Sequence, residues 1–162
     1  LPVLDLTNYE DSEFEALDPG VYGCEVFEAK WAETKGGEDA KLPAGTPMLK
    51  VQFVIRQPED FDNRRLFGQY VVPPKKVDGK KYEHYEKLNG MMVRFFKAIG
   101  YTEEEITSGG WEPDLEDFVG REVAVKINRY EYPKGSGEYQ NSVVGVKPIG
   151  EAQITSSAGS LL

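Results

Sequence analysis

Met48-Leu-Lys-Val-Gln-Phe-Val-Ile-Arg-Gln57 carries the plainest periodicity in the chain. Leu49, Val51, Phe53 and Ile55 fall on one side of an extended backbone, and Lys50, Gln52, Val54 and Arg56 on the other. That two-residue alternation belongs to a strand with one face in a core. Downstream, Pro58-Glu-Asp-Phe-Asp-Asn63 reads as a turn. Arg64–Val72 then returns as a strand carrying Leu66, Phe67, Tyr70 and Val72, and Pro73-Pro74 ends it. Upstream, Pro19-Gly20 is a turn signal that opens a long first strand, Val21–Thr34. Tyr22, Cys24 and Val26 share one parity there, and Phe27, Ala29 and Trp31 the other. A change of parity inside one strand predicts a β-bulge, which bends the strand. The stretch between these two strands, Lys35–Thr46, is too polar and too rich in Gly and Pro for regular structure.

The period changes after the prolines. In Tyr82–Ile99 the residues Leu88, Met91, Met92, Phe95, Phe96 and Ile99 form one apolar stripe at helical spacing, read as facing the core. Gly100 stands where a helix-ending glycine belongs. Thr102-Glu-Glu-Glu105 has the pattern of a capping box for one more helical turn. A short acidic approach, Asp114–Val119, leads to Gly120. Arg121–Tyr132 follows as a fourth strand, with Val123, Val125 and Ile127 inward and Lys126, Asn128, Tyr130 and Tyr132 outward. Pro133-Lys-Gly-Ser-Gly137 is a hairpin turn into a fifth strand, Glu138–Pro148. Three strands, a helix and two strands is the element order of a five-stranded OB-fold barrel, all-β with one main helix between strands 3 and 4. The domain is expected over residues 20–149, with an acidic arm at 1–19 and a mobile Ser/Gly-rich tail at 150–162.

A chain of 162 residues can build one core without staples. Cys24 is the only cysteine, which excludes an intrachain disulfide and a cysteine-based zinc site. No run approaches the roughly 18 apolar residues of a membrane span, and the N-terminus is acidic where a secretory signal is basic. The expectation is a cytoplasmic protein with no membrane partner. The net charge of −9 argues at first against nucleic acid. The charge is uneven, however. Residues 1–20 hold six acids and no base, and residues 101–117 seven acids and no base. What remains carries 15 acids against 19 bases, and residues 64–97 alone hold nine bases and three acids. The body is basic, with two acidic segments attached.

Most catalytic constellations are missing. His84 is the only histidine and sits among charged residues, so it reads as a surface group. No phosphate-binding glycine loop, dinucleotide fingerprint or zinc-protease motif occurs, and Lys134-Gly-Ser-Gly137 lies in a hairpin with no helix behind it. Glu103–Glu105 are read as solvated acids at a helix start. The expectation is a protein that is not an enzyme and holds no cofactor or metal. A metal-dependent nuclease built on acidic residues is the remote alternative.

Aromatic residues interleaved with bases remain. Single-stranded nucleic acid is held by bases stacking on rings while Lys and Arg follow the phosphates. OB-folds place such groups on strands 2 and 3 and on the loops joining strands 1–2 and 4–5. Here that surface comprises Trp31, Lys35, Lys50, Arg56, Arg64, Arg65 and Tyr70, with Lys126, Tyr130, Tyr132, Lys134 and Tyr139 at the 4–5 hairpin. Phe53, Phe67, Phe95 and Phe96 are read as core.

Several phrases resemble one family. They are Pro19-Gly-Val-Tyr-Gly-Cys-Glu-Val-Phe-Glu-Ala-Lys30, Pro47-Met-Leu-Lys-Val-Gln-Phe53, Asn63-Arg-Arg-Leu-Phe67 and Phe96-Lys-Ala-Ile-Gly100. Leu115-Glu-Asp-Phe-Val-Gly-Arg-Glu-Val123 and Tyr139-Gln-Asn-Ser-Val-Val-Gly-Val-Lys-Pro148 complete the run. In order and spacing it is similar to phage- and prophage-encoded single-stranded-DNA-binding proteins with an OB-fold. The resemblance implies single-stranded DNA as ligand, replication or recombination proteins as partners, and the cytoplasm of a bacterial host. Such proteins often end in an acidic tail that recruits partners. Ser156-Ser-Ala-Gly-Ser-Leu-Leu162 has no acid, and the acidic arm is the available substitute. The rival expectation is a structural or protein-interaction barrel that forms a homo-oligomer and does not bind nucleic acid.

Overall fold

The computed structural model describes residues 3, 15–37 and 42–155. Strands β1 (Gly20–Glu33), β2 (Pro47–Gln57) and β3 (Arg65–Val71) come first, followed by a short hairpin of β4 (Lys76–Val77) and β5 (Lys80–Lys81). Helices α1 (Tyr85–Ala98), α2 (Glu103–Ile106) and α3 (Leu115–Phe118) precede β6 (Glu122–Glu131) and β7 (Tyr139–Lys147). The five long strands form one antiparallel sheet in the order β3-β2-β1-β6-β7. The sheet curls until its edge strands, β3 and β7, approach each other, and α1 packs against both. No ladder joins β3 to β7 among the described residues, so the expected barrel is a sheet with an open seam.

The curl has a local cause. Between Val26 and Glu28 the pairing of β1 with β2 shifts by one residue and leaves Phe27 extra, the bulge that the parity change predicts. Before it β1 pairs with both β2 and β6; beyond it only with β2. Two further shifts lie between Gly23 and Cys24, where β1 pairs with β2, and between Lys126 and Ile127.

The inner face holds the core. Tyr22, Val26, Leu49, Val51, Phe53, Ile55, Val123, Val125 and Ile127 are all buried. From α1 come Met92, Phe95 and Phe96, with Ile99 just beyond its end. Phe95 stands edge-on to Phe53 and Phe118, and stacks on Tyr70 at 4.7 Å. Gly68 makes room for this cluster: a Cβ there would fall 3.0 Å from the Phe53 ring. Met91, expected in the core stripe, is instead exposed and lines a cleft of about 620 Å³ with Arg94 and parts of β3 and β7. The helix begins three residues later than the periodicity predicts, and Tyr82 instead closes the base of the β4–β5 hairpin, its N–H donating to Lys75 O at 3.0 Å.

The segments flanking the sheet are tied to it. Leu17 is buried in the core, and the Asn141 side chain both accepts from its N–H and donates to its carbonyl, each at 2.8 Å. The end of the acidic arm, residues 15–18, thus packs on the fold through Leu17; the acidic stretch at 4–14 lies outside the described residues. At the other end Thr155, expected in a mobile tail, is buried. It donates its N–H to Val21 O (2.7 Å) and accepts from Val21 N–H through Oγ1 (2.8 Å). Residues 156–162 lie outside the described residues. No helix among the described residues is long and apolar enough to cross a membrane.

Candidate nucleic-acid interface

The outer face of β1, β2 and β3 is defined by register. Glu25, Val54 and Arg65 lie in one row across the three strands, and Glu28, Gln52 and Phe67 in the next. Lys30, Lys50 and Gln69 form the third row. Directly opposed residues share a face, so Phe67 points away from the core and is 64% exposed. Phe27, freed by the bulge, is 46% exposed, and the Arg65 guanidinium lies 3.8 Å over its ring. Two phenylalanine rings, Arg65, Lys30 and Lys50 thus occupy one solvent-facing surface.

This differs from the sequence expectation in two places. Phe67, read as core, is outward, and Tyr70, read as a surface aromatic, is 6% exposed and stacked on Phe95. Strict alternation decides both. With Leu66 and Gly68 inward, Tyr70 must also be inward and Phe67 outward. Burial pushes the Tyr70 phenol well above its ordinary range, as suits a neutral core hydroxyl.

The other strand 2–3 residues divide. Lys50 is exposed beside Lys30. Arg56 is engaged by Asp62 (3.1 Å), Asn63 (2.9 Å) and Glu25 (3.8 Å), so its charge is largely answered within the fold. Arg64 donates to Glu15 O at 2.6 Å and pins the incoming chain. Lys35 is exposed just after β1. Trp31 is exposed on the part of β1 that extends past β6, but it opposes Leu49 and so belongs to the inner-face row.

At the β6–β7 hairpin the exposed residues are Tyr130, Tyr132, Tyr139, Lys126 and Lys134. Tyr130 opposes Gln140 and donates to its Oε1 at 3.1 Å. Tyr139 opposes Glu131, which puts it on the opposite side of the hairpin from Tyr130, with Arg129 5.2 Å from its ring centroid. The tyrosines therefore do not form one platform. No ring contact, ion pair or hydrogen bond joins this hairpin to Phe27 and Phe67 among the described residues.

Four of the seven acids of residues 101–117, Glu103, Glu105, Asp114 and Asp117, have partners for their side chains on the helical side. Thr102 and Glu105 cap α2 reciprocally, and Glu103 lies 3.7 Å from Lys97. Asp117 accepts from Tyr101 Oη (2.6 Å) and from Arg121 (2.8 Å). The Tyr101 bond, then the Arg121 bond, hold the Asp117 carboxyl below its ordinary value, while burial first and the Asp117 bond second push Tyr101 up to about 12. Phe118 anchors α3 in the core against Phe95 and Phe96, on the inner side of the sheet.

Sequence reasoning missed Phe27, Phe67 and Lys30. The bulge it predicted at Val26–Phe27 was the signal for the first; Phe67 had no local signal, since both parities of β3 are apolar and its pairing with β2 sets its face. No known family model matches the chain, and no curated protein matches it.

Proposed function

We propose that this protein binds single-stranded DNA and catalyses no reaction, as an OB-type barrel whose open seam is spanned by α1. The observation that carries this reading is the outer face of β1–β2–β3, where exposed Phe27 and Phe67 stand among Arg65, Lys30 and Lys50. Exposed phenylalanines on a strand face do little for folding. Stacked bases would cover them, at roughly 1–3 kcal/mol per base, while the neighbouring cations meet phosphate. Tyr130, Tyr132, Lys126 and Lys134 on the β6–β7 hairpin supply a second set of such groups. Glu103, Glu105 and Asp117 are held on the helical side by the contacts described above, and the β1–β2–β3 face carries Arg65, Lys30 and Lys50 alongside Glu25 and Glu28. The element order and the phrases quoted above point to the phage-encoded OB-fold proteins that coat exposed strands in replication or recombination.

Titration of labelled oligo-dT at several salt concentrations tests this. Affinity is expected to fall with salt, with a log–log slope of about −0.7 per phosphate neutralised. Absence of binding at low salt overturns the reading. If molecular mass then rises with protein concentration, the oligomerising barrel replaces it.

A further inference from the structure

The β4–β5 hairpin lies between β3 and α1 and carries Lys75, Lys76, Lys80 and Lys81. Asp78 is the only acid between residues 72 and 82. Asp78 and Gly79 form its two-residue turn, with φ of 53° and 76°. Successive left-handed residues are the requirement of the tight primed turn, for which Asp-Gly is suited. The base is fixed as well: buried Tyr82 donates its N–H to Lys75 O at 3.0 Å. This is an anchored hairpin with a defined turn.

Within it Lys76 directly opposes Lys81. Like charges directly opposite on a ladder are destabilising. Among the described residues none of the four lysines makes an ion pair. A connection from strand to helix needs no such arrangement, and a folded anchor that holds cations against each other is suited to an anion that lies between them.

The position of the hairpin says which anion. It continues from the end of β3, whose outward residues are Arg65, Phe67 and Gln69. Lys75 is four residues beyond Val71, at most about 14 Å of chain. We propose that the β4–β5 hairpin is a phosphate-binding extension of the β1–β2–β3 face, gripping the backbone of a strand whose bases stack on Phe67 and Phe27. This rests on reading that face as a single-stranded nucleic-acid surface, and it adds a contact site without base readout, since lysines meet phosphate as point charges.

The test compares wild type with K76Q/K81Q by oligo-dT titration at several salt concentrations and by thermal melting. The double variant is expected to lower the magnitude of the log–log slope by about 1.4 and so to weaken binding about 60-fold near 0.05 M salt, from two lost phosphate contacts. Its melting temperature is expected to stay equal or rise at low salt, because the opposed charges are gone. K76R/K81R, which keeps the charges, is expected to keep the slope. A K76Q/K81Q variant with wild-type slope and affinity overturns this inference while leaving the β1–β2–β3 reading intact. One that binds less only because it melts earlier makes the lysines part of folding and also overturns it. Failure of the wild type to bind oligo-dT at low salt overturns both readings together.

Discussion

Replacing Phe67 by threonine removes the most exposed ring of the β1–β2–β3 face while keeping a residue that suits a strand. With 64% of the residue exposed, only about a third of its surface is covered by the fold. A phenylalanine that buries ~200 Å² when fully enclosed therefore buries ~70 Å² here, or less than about 2 kcal/mol at 25 cal/mol per Å². Threonine retains part of that contact, and a compact unfolded chain lowers the figure further. The expected shift in Tm is a few degrees, at roughly 2–4 °C per kcal/mol for a domain of this size. Loss of one stacked base costs roughly 1–3 kcal/mol of affinity, a factor of about 5 to 150 in Kd. Tyr70→Ala is the complement. Its ring is buried against Phe95, so truncation is expected to cost about 3–5 kcal/mol of stability, with little change in the affinity of the molecules that remain folded. Melting and oligo-dT binding on the two variants decide the matter. A Phe67→Thr protein that binds as tightly as wild type at unchanged Tm would refute the stacking role of this face.

Leu17→Ala should cost about 2–5 kcal/mol in urea unfolding, since the side chain is buried in the core; an unchanged midpoint would mean that residues 15–18 do not close the fold. Thr155→Val keeps the shape but strips Val21 N–H of its Oγ1 acceptor. A loss of about 1–3 kcal/mol is expected, and a neutral result would detach the C-terminal segment from β1. Burial pushes the Cys24 thiol up to about 12 from an ordinary value of 9. The native protein should therefore resist thiol reagents at neutral pH and react once unfolded. Because the folded value is the higher one, this contribution to stability is complete below pH 9 and disappears as the pH rises from 9 towards 12. Rapid labelling of native protein at pH 7 would contradict that burial.

The sequence by itself determined the five long strands, the main helix and the bend, but not the β4–β5 hairpin. Leu49, Val51, Phe53 and Ile55 alternate because one face of β2 is covered and the other is wet, and that contrast is written residue by residue. The parity change at Phe27 announced the bulge in the same way, and the stripe of α1 was legible for the same reason at a different period. Orientation within β3 was not legible, because Leu66, Phe67, Tyr70 and Val71 are apolar on both parities. Only the pairing with β2, which sets Tyr70 opposite Leu49 and Phe67 opposite Gln52, decided which ring lies on Phe95 and which meets solvent. Arg56 and Arg64 read as free cations until the fold brought Asp62 and the Glu15 carbonyl to them. Leu17 and Thr155 looked like parts of loose ends, yet Asn141 and Val21 hold them across 124 and 134 residues of chain. Local periodicity records what each residue's own backbone does with its side chains. Partners distant in sequence leave no local pattern, so those assignments exist only once the chain has closed on itself.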